Sequence, residues 1–277
     1  MDPLLIAGLV CVGGAGLLLF FSKRATHRAT LMATTETRKL GDISALVDEV
    51  RAEIGEGSES GYAEHCELKG KLVAPKPVTG ELSGEEVAIY EMEVIRVIET
   101  RRERRDDEGH VSVTWSKSNE TLSSNRREAV FHLDDGTGRV RVIPSGSEMQ
   151  LDTIVDRFEA PSAVEHMGGS QLALRVGNFN LAVSGGHHGN QRRTLGYRFE
   201  ERVLPLDRSV YVLGEVADTA DGLVLRKPTT TEGPYVVALK SEAELIQLKE
   251  SSAKWLKIGA ITSVITGIAL VVMGLLK

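Results

Sequence analysis

The stretch that most constrains this chain is its last one, because residues 258–276 form an uncharged run of 19 residues. About 20 apolar residues in a helix match the roughly 30 Å hydrocarbon core of a bilayer. Upstream of this run, Ser241 and Glu244 have the spacing of a capping box, which satisfies backbone N–H groups at a helix start. No Gly or Pro interrupts residues 242–257. We therefore predict that residues 241–277 form one capped helix that continues into a membrane span.

A second apolar run lies at the other end of the chain. Residues 4–21 are 18 residues without a charge, which is the short edge of spanning length. A cleaved signal peptide would carry a basic region before such a run. Only Met1, Asp2 and Pro3 precede it. We therefore predict a retained transmembrane anchor over residues 1–22, with a cleaved signal as the alternative.

Basic residues beside the two runs predict the direction of crossing. Lys and Arg close to a span tend to stay on the cytoplasmic side. They follow the first run and precede the second, so we expect a two-pass integral membrane protein whose termini lie outside and whose middle part is cytoplasmic. The predicted membrane-flanking residues are Lys23, Arg24, Arg28, Lys254, Trp255 and Lys257.

Small residues recur at four-residue spacing within both runs. Helices in lipid associate where small side chains let their backbones approach closely. Two pairings are open on this evidence, one between the two spans and one between copies of the chain as a homo-oligomer. The small residues are Ala7, Cys11 and Ala15 in the first run and Gly259, Ser263 and Gly267 in the second.

Residues 23–61 are predicted to form a tether and an amphipathic helix. The segment 27–40 is polar and rich in Thr without a clear period, as expected of a tether. Asp42 is placed to cap the helix that follows, which we expect to lie on the globular part or on the neighbouring span, with binding to a partner as the alternative. Glycines and serines in 55–61 are expected to end it in a flexible joint. Its apolar residues at helical spacing are Ile43, Leu46, Val47, Val50 and Ile54.

Residues 62–240 show the pattern of a β-rich domain. Short alternating segments separated by turn residues are typical of sandwiches and barrels. We predict a mainly β fold, with a partly open barrel of OB type, flanked by α-helices and the two transmembrane helices. A hairpin tip is expected at 101–109, with a return strand that includes 111–115, and a second hairpin around 134–138. The other predicted strands are 68–73, 87–100, 172–176, 194–205, 209–216, 222–226 and 234–239.

The composition of the chain excludes some classes of partner and of metal site. The formal net charge is −6, which disfavours nucleic acid because such partners require clustered Lys and Arg. Cys11 lies in the first apolar run, so Cys66 is alone in the soluble part. Neither a disulfide within that part nor a zinc site with three or four cysteines can form. The sequence contains no motif that requires catalysis, and we expect no cofactor.

Two polar clusters are candidate surface sites. Adjacent His187 and His188 lie among glycines, where a metal could reach them, but they lack the four-residue spacing that places both on one helix face, so a turn is favoured. The other cluster is basic, could contact anionic headgroups, and is followed by three acidic residues that favour a solvated hairpin end instead. Its members are Arg101, Arg102, Arg104 and Arg105.

Three segments resemble a known family. They are KGKLVAPKPVTGELSGEEVAIYEMEVIR at 69–96, FHLDDGTGRVRV at 131–142 and GYRFEERVLPLDRSVYVLGE at 196–215. Together with the order of span, short helix, β-rich domain and span, they resemble the GIDE domain, also called the BAM ("beside a membrane") domain. The resemblance covers the chain from about residue 36 to the second span. Eukaryotic members of this family are mitochondrial outer-membrane RING ubiquitin ligases, and there are prokaryotic relatives.

The resemblance implies a function and also a difference. In those ligases a RING finger follows the second span, whereas this sequence stops at Lys277, so no residue here is expected to take a RING role. The implied protein is a RING-less prokaryotic relative in the plasma membrane, acting as a non-enzymatic binding or regulatory module for an unknown protein partner or for lipid beside the bilayer. The alternative is a ubiquitin-protein ligase that acts in protein ubiquitination.

Overall fold

The computed structural model confirms a mainly β fold with long flanking helices. It describes residues 3–54, 61–106, 109–163, 165–168, 171–177, 179–184, 191–229, 233–239 and 242–275. The helices are α1 (Pro3–Thr34), α2 (Leu40–Ile54) and α3 (Glu242–Leu275), with a 3-10 turn at Pro161–Ala163. The strands are β1 (Ala63–Val73), β2 (Val78–Thr79), β3 (Glu86–Arg105), β4 (Val111–Glu128), β5 (Phe131–Asp134), β6 (Arg139–Val142), β7 (Glu148–Met149), β8 (Asp152–Glu159), β9 (Glu165–Gly168), β10 (Gln171–Val176), β11 (Phe179–Ser184), β12 (Arg192–Pro205), β13 (Ser209–Thr219), β14 (Gly222–Arg226) and β15 (Val236–Ala238).

The chain forms two compact units. The first comprises Met1–Gly70, Asp134–Met149 and Ser209–Lys277. The second comprises Lys71–Leu133 and Gln150–Arg208. Each unit is therefore assembled from segments that are distant in sequence.

A barrel of OB type characterises the first unit. Its sheet has the strand order β1-β5-β6-β14-β13-β15-β7, and an additional pairing of β1 with β13 closes a ring of β1, β5, β6, β14 and β13. Within this ring β14 pairs parallel with β6 and antiparallel with β13. A five-stranded ring of this kind is the OB arrangement that the sequence predicted. Leu68, Val140, Val216 and Leu225 are among its buried residues.

Two stacked sheets form the second unit. The larger has the order β2-β3-β12-β8, with β4 paired to β3, and the smaller has the order β11-β10-β9. Tyr90, Val94 and Phe199 on the larger sheet share a buried core with Leu174 and Val183 on the smaller one. Alternation along each strand sends the intervening side chains to the opposite face.

Helix α2 begins two residues before Asp42, so the predicted cap is wrong. The turn between β5 and β6 supplies the cap instead. Asp135 Oδ2 accepts a hydrogen bond from the Leu40 N–H (2.7 Å), and Thr137 Oγ1 accepts one from the Gly41 N–H (2.9 Å). Ile43 and Val47 of the predicted apolar face are buried and Val50 is half-buried, whereas Leu46 is exposed and the Ile54 side chain lies outside the described structure. Residues 55–60 of the predicted joint also lie outside it.

The predicted tether is wrong over residues 27–34, where α1 continues as a helix to Thr34. Threonine hydroxyls bond to carbonyls one turn earlier, as in Thr30 Oγ1 to Thr26 O (3.1 Å). Ala29 and Met32 are buried. Tertiary packing therefore outweighs the weak helix preference of a threonine-rich segment.

The predicted strands at 68–73, 87–100, 172–176, 194–205, 209–216, 222–226 and 234–239 all coincide with observed strands, with ends shifted by a few residues. The predicted tip at 101–109 is largely wrong, because β3 continues to Arg105 and pairs there with Val111 of β4. Strands β2, β7, β8, β9 and β11 were not predicted. Strand β8 is exposed at most positions, so it lacks the apolar alternation on which the prediction depended.

Replacing the observed cap tests this account of α2. Hydrogen bonds from the backbone of Leu40, Thr137 and Gly138 outweigh burial and lower the pKa of Asp135. We expect Asp135→Ala to reduce the free energy of unfolding by about 1–2 kcal/mol at neutral pH, the usual effect of losing an N-cap. Because the folded-state pKa is lowered, this contribution is present above pH of about 4 and is lost as the pH falls further.

The matched control is Asp42→Ala, since Asp42 lies exposed in the first turn without capping it. We expect this change to cost less than about 0.5 kcal/mol. Chemical denaturation at pH 7 and pH 3 measures both variants. Equal losses for the two variants would contradict the assignment of the cap to Asp135.

Candidate functional site

Helices α1 and α3 pack against each other in opposite directions. Near one end, Ser263 Oγ donates a hydrogen bond to Cys11 O (2.8 Å). Further along, Ser22 Oγ donates to Ala253 O (3.0 Å). Each hydroxyl thereby satisfies a carbonyl of the other helix, as polar side chains do between helices in a membrane.

Small residues allow this close approach. A Cβ atom added to Gly8 would lie 2.8 Å from Gly267 O, and one added to Gly267 would lie 2.9 Å from Gly8 O. Ala15 and Ala260 are each 1% exposed. Of the two pairings that the sequence left open, the structure contains the one between the two apolar helices of a single chain. Association of copies through these helices stays a prediction.

The predicted membrane-flanking residues come together along the helix pair. Lys23 and Arg24 follow Ser22, and Lys254, Trp255 and Lys257 follow Ala253, so the hydrogen bond from Ser22 to Ala253 marks one level for both helices. Trp255 is 72% exposed. Arg28, one helical turn beyond Arg24, pairs with Glu148 at 3.1 Å. Taken over most of their length, at Ile6–Thr34 and Glu244–Leu275, both helices are long and apolar enough to cross a bilayer.

Beyond the Ser22–Ala253 level, toward Met32 of α1 and Leu245 of α3, both helices pack against the β-sheet of the first unit. Met32 of α1 and Leu245 of α3 share a buried cluster with Tyr211, Leu213 and Val236. The predicted capping box at the start of α3 is not tested, because Ser241 lies outside the described residues, while Glu244 lies in the first turn. The candidate membrane helices and the barrel therefore share one packed core.

A charged groove of about 400 Å³ lies on the exposed face of the larger sheet in the second unit. Neighbouring strands β4, β3 and β12 supply its side chains, and their register sets charges opposite one another. Glu91 lies opposite both Arg126 and Arg202, and Glu93 lies opposite Glu200. The lining residues are Glu91, Met92, Glu93, Ser124, Asn125, Arg126, Glu200 and Arg202.

Ion pairs hold the arginines of the charged groove in place. Glu91 accepts hydrogen bonds from Arg126 and from Arg202, the latter at 3.0 Å. Burial alone would lower the pKa of the Arg126 guanidinium, but its bonds to Glu128 and Glu91 outweigh burial and raise that pKa. Glu93 accepts a hydrogen bond from Thr121 (2.6 Å). Like charges directly opposite on a sheet repel, and Arg198 on the same strand pairs with Glu200 at 3.3 Å.

Buried polar groups support the strands beneath the charged groove. Glu201 is fully buried and accepts hydrogen bonds from the backbone N–H groups of Leu82 (2.7 Å) and Ser83 (3.1 Å). Tyr90 donates to Glu81 (3.0 Å), and burial together with this bond raises the pKa of Tyr90 to about 12. These contacts fix β3 and β12, which carry the acidic side of the groove.

The other predicted sites are dispersed. Arg101 pairs with Glu103 (2.7 Å), and the remaining arginines of that cluster, Arg102, Arg104 and Arg105, are exposed near the end of β3. His187 and His188 lie outside the described residues. Within the part of the chain that the structure describes, no group of three or more His, Cys, Asp and Glu residues could hold a metal ion.

The charged groove was not predicted from the sequence. The alternating charges of Arg198, Glu200 and Arg202 on one predicted strand, and of Glu91 and Glu93 on another, indicate exposed strand faces. They do not show that these two strands are neighbours, and that adjacency creates the groove.

Comparison with known proteins shows the family of this chain. A family model described as "GIDE: E3 Ubiquitin ligase" matches residues 99–273. The chain belongs to the GIDE family. It is also 26% identical over 271 residues to the E3 ubiquitin-protein ligase SPL1 of Arabidopsis thaliana, an alignment that covers 96% of this chain and 69% of the plant protein. No solved structure matches.

Substitution of Gly8 tests the contact between α1 and α3 in this GIDE-family protein. We expect Gly8→Leu to destabilise the packed helices by about 1–3 kcal/mol, because its side chain would overlap α3. The control is Gly13→Leu, since nothing lies within 4 Å of a Cβ at that position. Thermal unfolding of the full-length protein in detergent measures both. Equal stability of the two variants would exclude the observed helix contact.

The buried carboxylate beneath the charged groove can be tested in the same way. Glu201→Ala leaves two backbone N–H groups without their acceptor, so we expect a loss of about 3 kcal/mol in the free energy of unfolding. The neighbouring change Glu200→Ala alters an exposed side chain, and we expect it to cost less than about 0.5 kcal/mol. Denaturant titration measures the two, and a tolerated Glu201→Ala would show that the carboxylate is not structural.

Proposed function

We propose that this GIDE-family protein is a membrane-anchored, non-enzymatic module that binds a protein partner at its charged groove. The observation that carries the anchoring part of the proposal is the continuity of the helix pair with the barrel, through Met32 and Leu245. A flexible linker would let a soluble domain move away from its anchor. Helices that share a core with the barrel instead hold it beside the bilayer.

The antiparallel helix pair also supports a two-pass topology. If both helices cross the bilayer, their outer ends lie on one side and the barrel lies on the other. The level marked by Ser22 and Ala253 would then lie at the membrane surface, where Lys23, Lys254 and Trp255 match the residue types that anchor helices at interfaces. If the membrane is the plasma membrane of a prokaryote, as we propose, the positive-inside rule makes that surface the cytoplasmic one.

The charged groove supports a protein partner of complementary charge. A Lys or Arg side chain of the partner placed between Glu93 and Glu200 would add to the ion pair that Arg198 makes with Glu200, and acidic side chains beside it would meet Arg126 and Arg202. Glu91 already orients both arginines, so binding a partner costs little further side-chain entropy. Complementary charge of this kind chiefly supplies specificity and association rate.

A photo-cross-linking amino acid at Ser124, within the charged groove, tests this proposal in native membranes. We expect a cross-linked protein partner, reduced at least about tenfold by Arg202→Glu, because reversing one charge breaks the complementarity. The control places the cross-linker at exposed Glu85, outside the groove. A cross-link that survives the charge reversal, or one equally strong at Glu85, would rule out the groove as the binding surface.

The second candidate function is ubiquitin ligation, which the family description and the name of the plant relative favour. Purified full-length protein would be incubated with ubiquitin, activating enzyme and a panel of conjugating enzymes. Accelerated discharge of ubiquitin from a conjugating enzyme would support a ligase. Absence of any acceleration across the panel, together with a groove-dependent cross-link, would favour the binding module.

A further inference from the structure

Among the residues that the structure describes, the far end of the β3–β4 hairpin extends past β12 as a two-stranded ribbon. Strand β12 pairs with β3 only as far as Thr100, whereas β4 follows β3 to the pair of Arg105 and Val111. A two-stranded ribbon without cover is marginally stable in water. Pairing with a further strand would therefore stabilise the segment beyond Thr100.

One face of this ribbon carries exposed apolar side chains. Val111, Val113 and Trp115 alternate along β4, and they are 51%, 44% and 40% exposed. The guanidinium of Arg193 lies 4.8 Å from the centre of the Trp115 ring, and Glu99 holds that guanidinium through bonds of 2.6 and 2.9 Å. The indole ring is therefore fixed in place while much of it stays open to solvent.

The backbone groups of the same three residues point to the open edge of β4. Asp106 N–H donates to His110 O (3.1 Å), so this is a hydrogen-bonded pair, and such pairs recur at every second position of an antiparallel ladder. Arg101 N–H donates to Gln191 O (2.8 Å) and so points away from β4. This agrees with Arg101 and Trp115 forming a non-hydrogen-bonded pair of the β3–β4 ladder. Val111, Val113 and Trp115 thus direct their N–H and C=O groups outward. Among the described strands, β4 pairs only with β3.

This part of the edge lacks the features that usually prevent strand addition. Lysine, proline and bulges protect exposed edges. In β4 the first lysine is Lys117, and the irregularity in the β3–β4 pairing lies further along, opposite Val94 and Ile95. The segment 111–116 contains neither lysine nor proline. It is the unprotected part of the edge, and it carries the apolar side chains.

We propose that this segment pairs antiparallel with the same segment of a second copy, about a two-fold axis at Val113. Val113 then lies opposite the partner's Val113, and Val111 lies opposite the partner's Trp115. All three outward-pointing residues of each strand find hydrogen-bonding partners in this register. Their side chains form pairs of β-branched and aromatic residues on one face, which stabilise antiparallel sheets. Ser112 lies opposite the partner's Thr114 on the other face.

Neighbouring registers fit less well. An axis at Ser112 would place Trp115 opposite the partner's Gly109. An axis at Thr114 would place Val111 opposite the partner's Lys117. The sequence of the adjoining turn, with acidic residues at 106–108, disfavours insertion of the ribbon into an anionic bilayer. A second copy in the Val113 register is therefore the occupant that the ribbon fits.

Single cysteines test the register directly. The full-length protein would carry Cys11→Ala and Cys66→Ala, with either Val113→Cys or Val111→Cys added, and would be oxidised in native membranes. In the proposed dimer the two 113 positions have Cα atoms about 5.5 Å apart, within disulfide range. The two 111 positions would be about 14 Å apart. We expect a disulfide-linked dimer from Val113→Cys and none from Val111→Cys.

A charge at the centre of the interface gives an independent measurement. We expect Val113→Lys to raise the dimer dissociation constant at least about tenfold, measured by light scattering in detergent, because lysine blocks strand addition at an edge. Ser124→Lys, on the same strand beyond the irregularity, should leave it unchanged. Circular dichroism confirms that both variants fold. A wild-type protein that is monomeric at all concentrations, equal cross-linking at 111 and 113, or capture of a different protein at 113 would overturn the proposal.

Discussion

The pairing of α1 with α3 is the contact on which the first unit depends. The two helices come from opposite ends of the sequence, and their backbones approach closely because Gly8 and Gly267 carry no side chain between them. Close packing at one end fixes the offset of the helices along their whole length. Met32 and Leu245 consequently reach β13 and β15 together and enter one buried cluster. The barrel is thus held by packing against the helices that carry the candidate spans.

The second unit is organised by strand periodicity, with one carboxylate on its buried face. Alternation divides the larger sheet into a buried face, with Tyr90 and Phe199, and a charged face, with Glu91 and Glu200. Glu201 follows the alternation into the interior although it is a carboxylate. Two backbone N–H groups satisfy it there, so a residue that would otherwise disrupt the core instead ties the turn after β2 to β12.

Local sequence signals predicted much of the fold. Both apolar runs, the central strands and the OB-type barrel follow from composition and alternation, which act within a few residues of each other. What failed to be predicted depends on contacts between distant residues. Asp135 caps a helix that begins at Leu40, and burial of Met32 keeps a threonine-rich segment helical. The charged groove exists because β3 and β12 are neighbours, a pairing that no local pattern specifies.

The two exposed surfaces of the second unit differ in what they can contribute to binding. In the charged groove, Arg126 and Arg202 are already paired with Glu91, so a partner exchanges one set of ion pairs for another and gains chiefly specificity. Along β4, the outward N–H and C=O groups of Val113 face no strand among those described, and the adjoining side chains are apolar. Pairing there adds hydrogen bonds and removes apolar surface from water, and both effects contribute affinity. A second copy bound along β4 would leave the arginines and glutamates of the groove accessible, because they lie beyond Lys117 on the same sheet face.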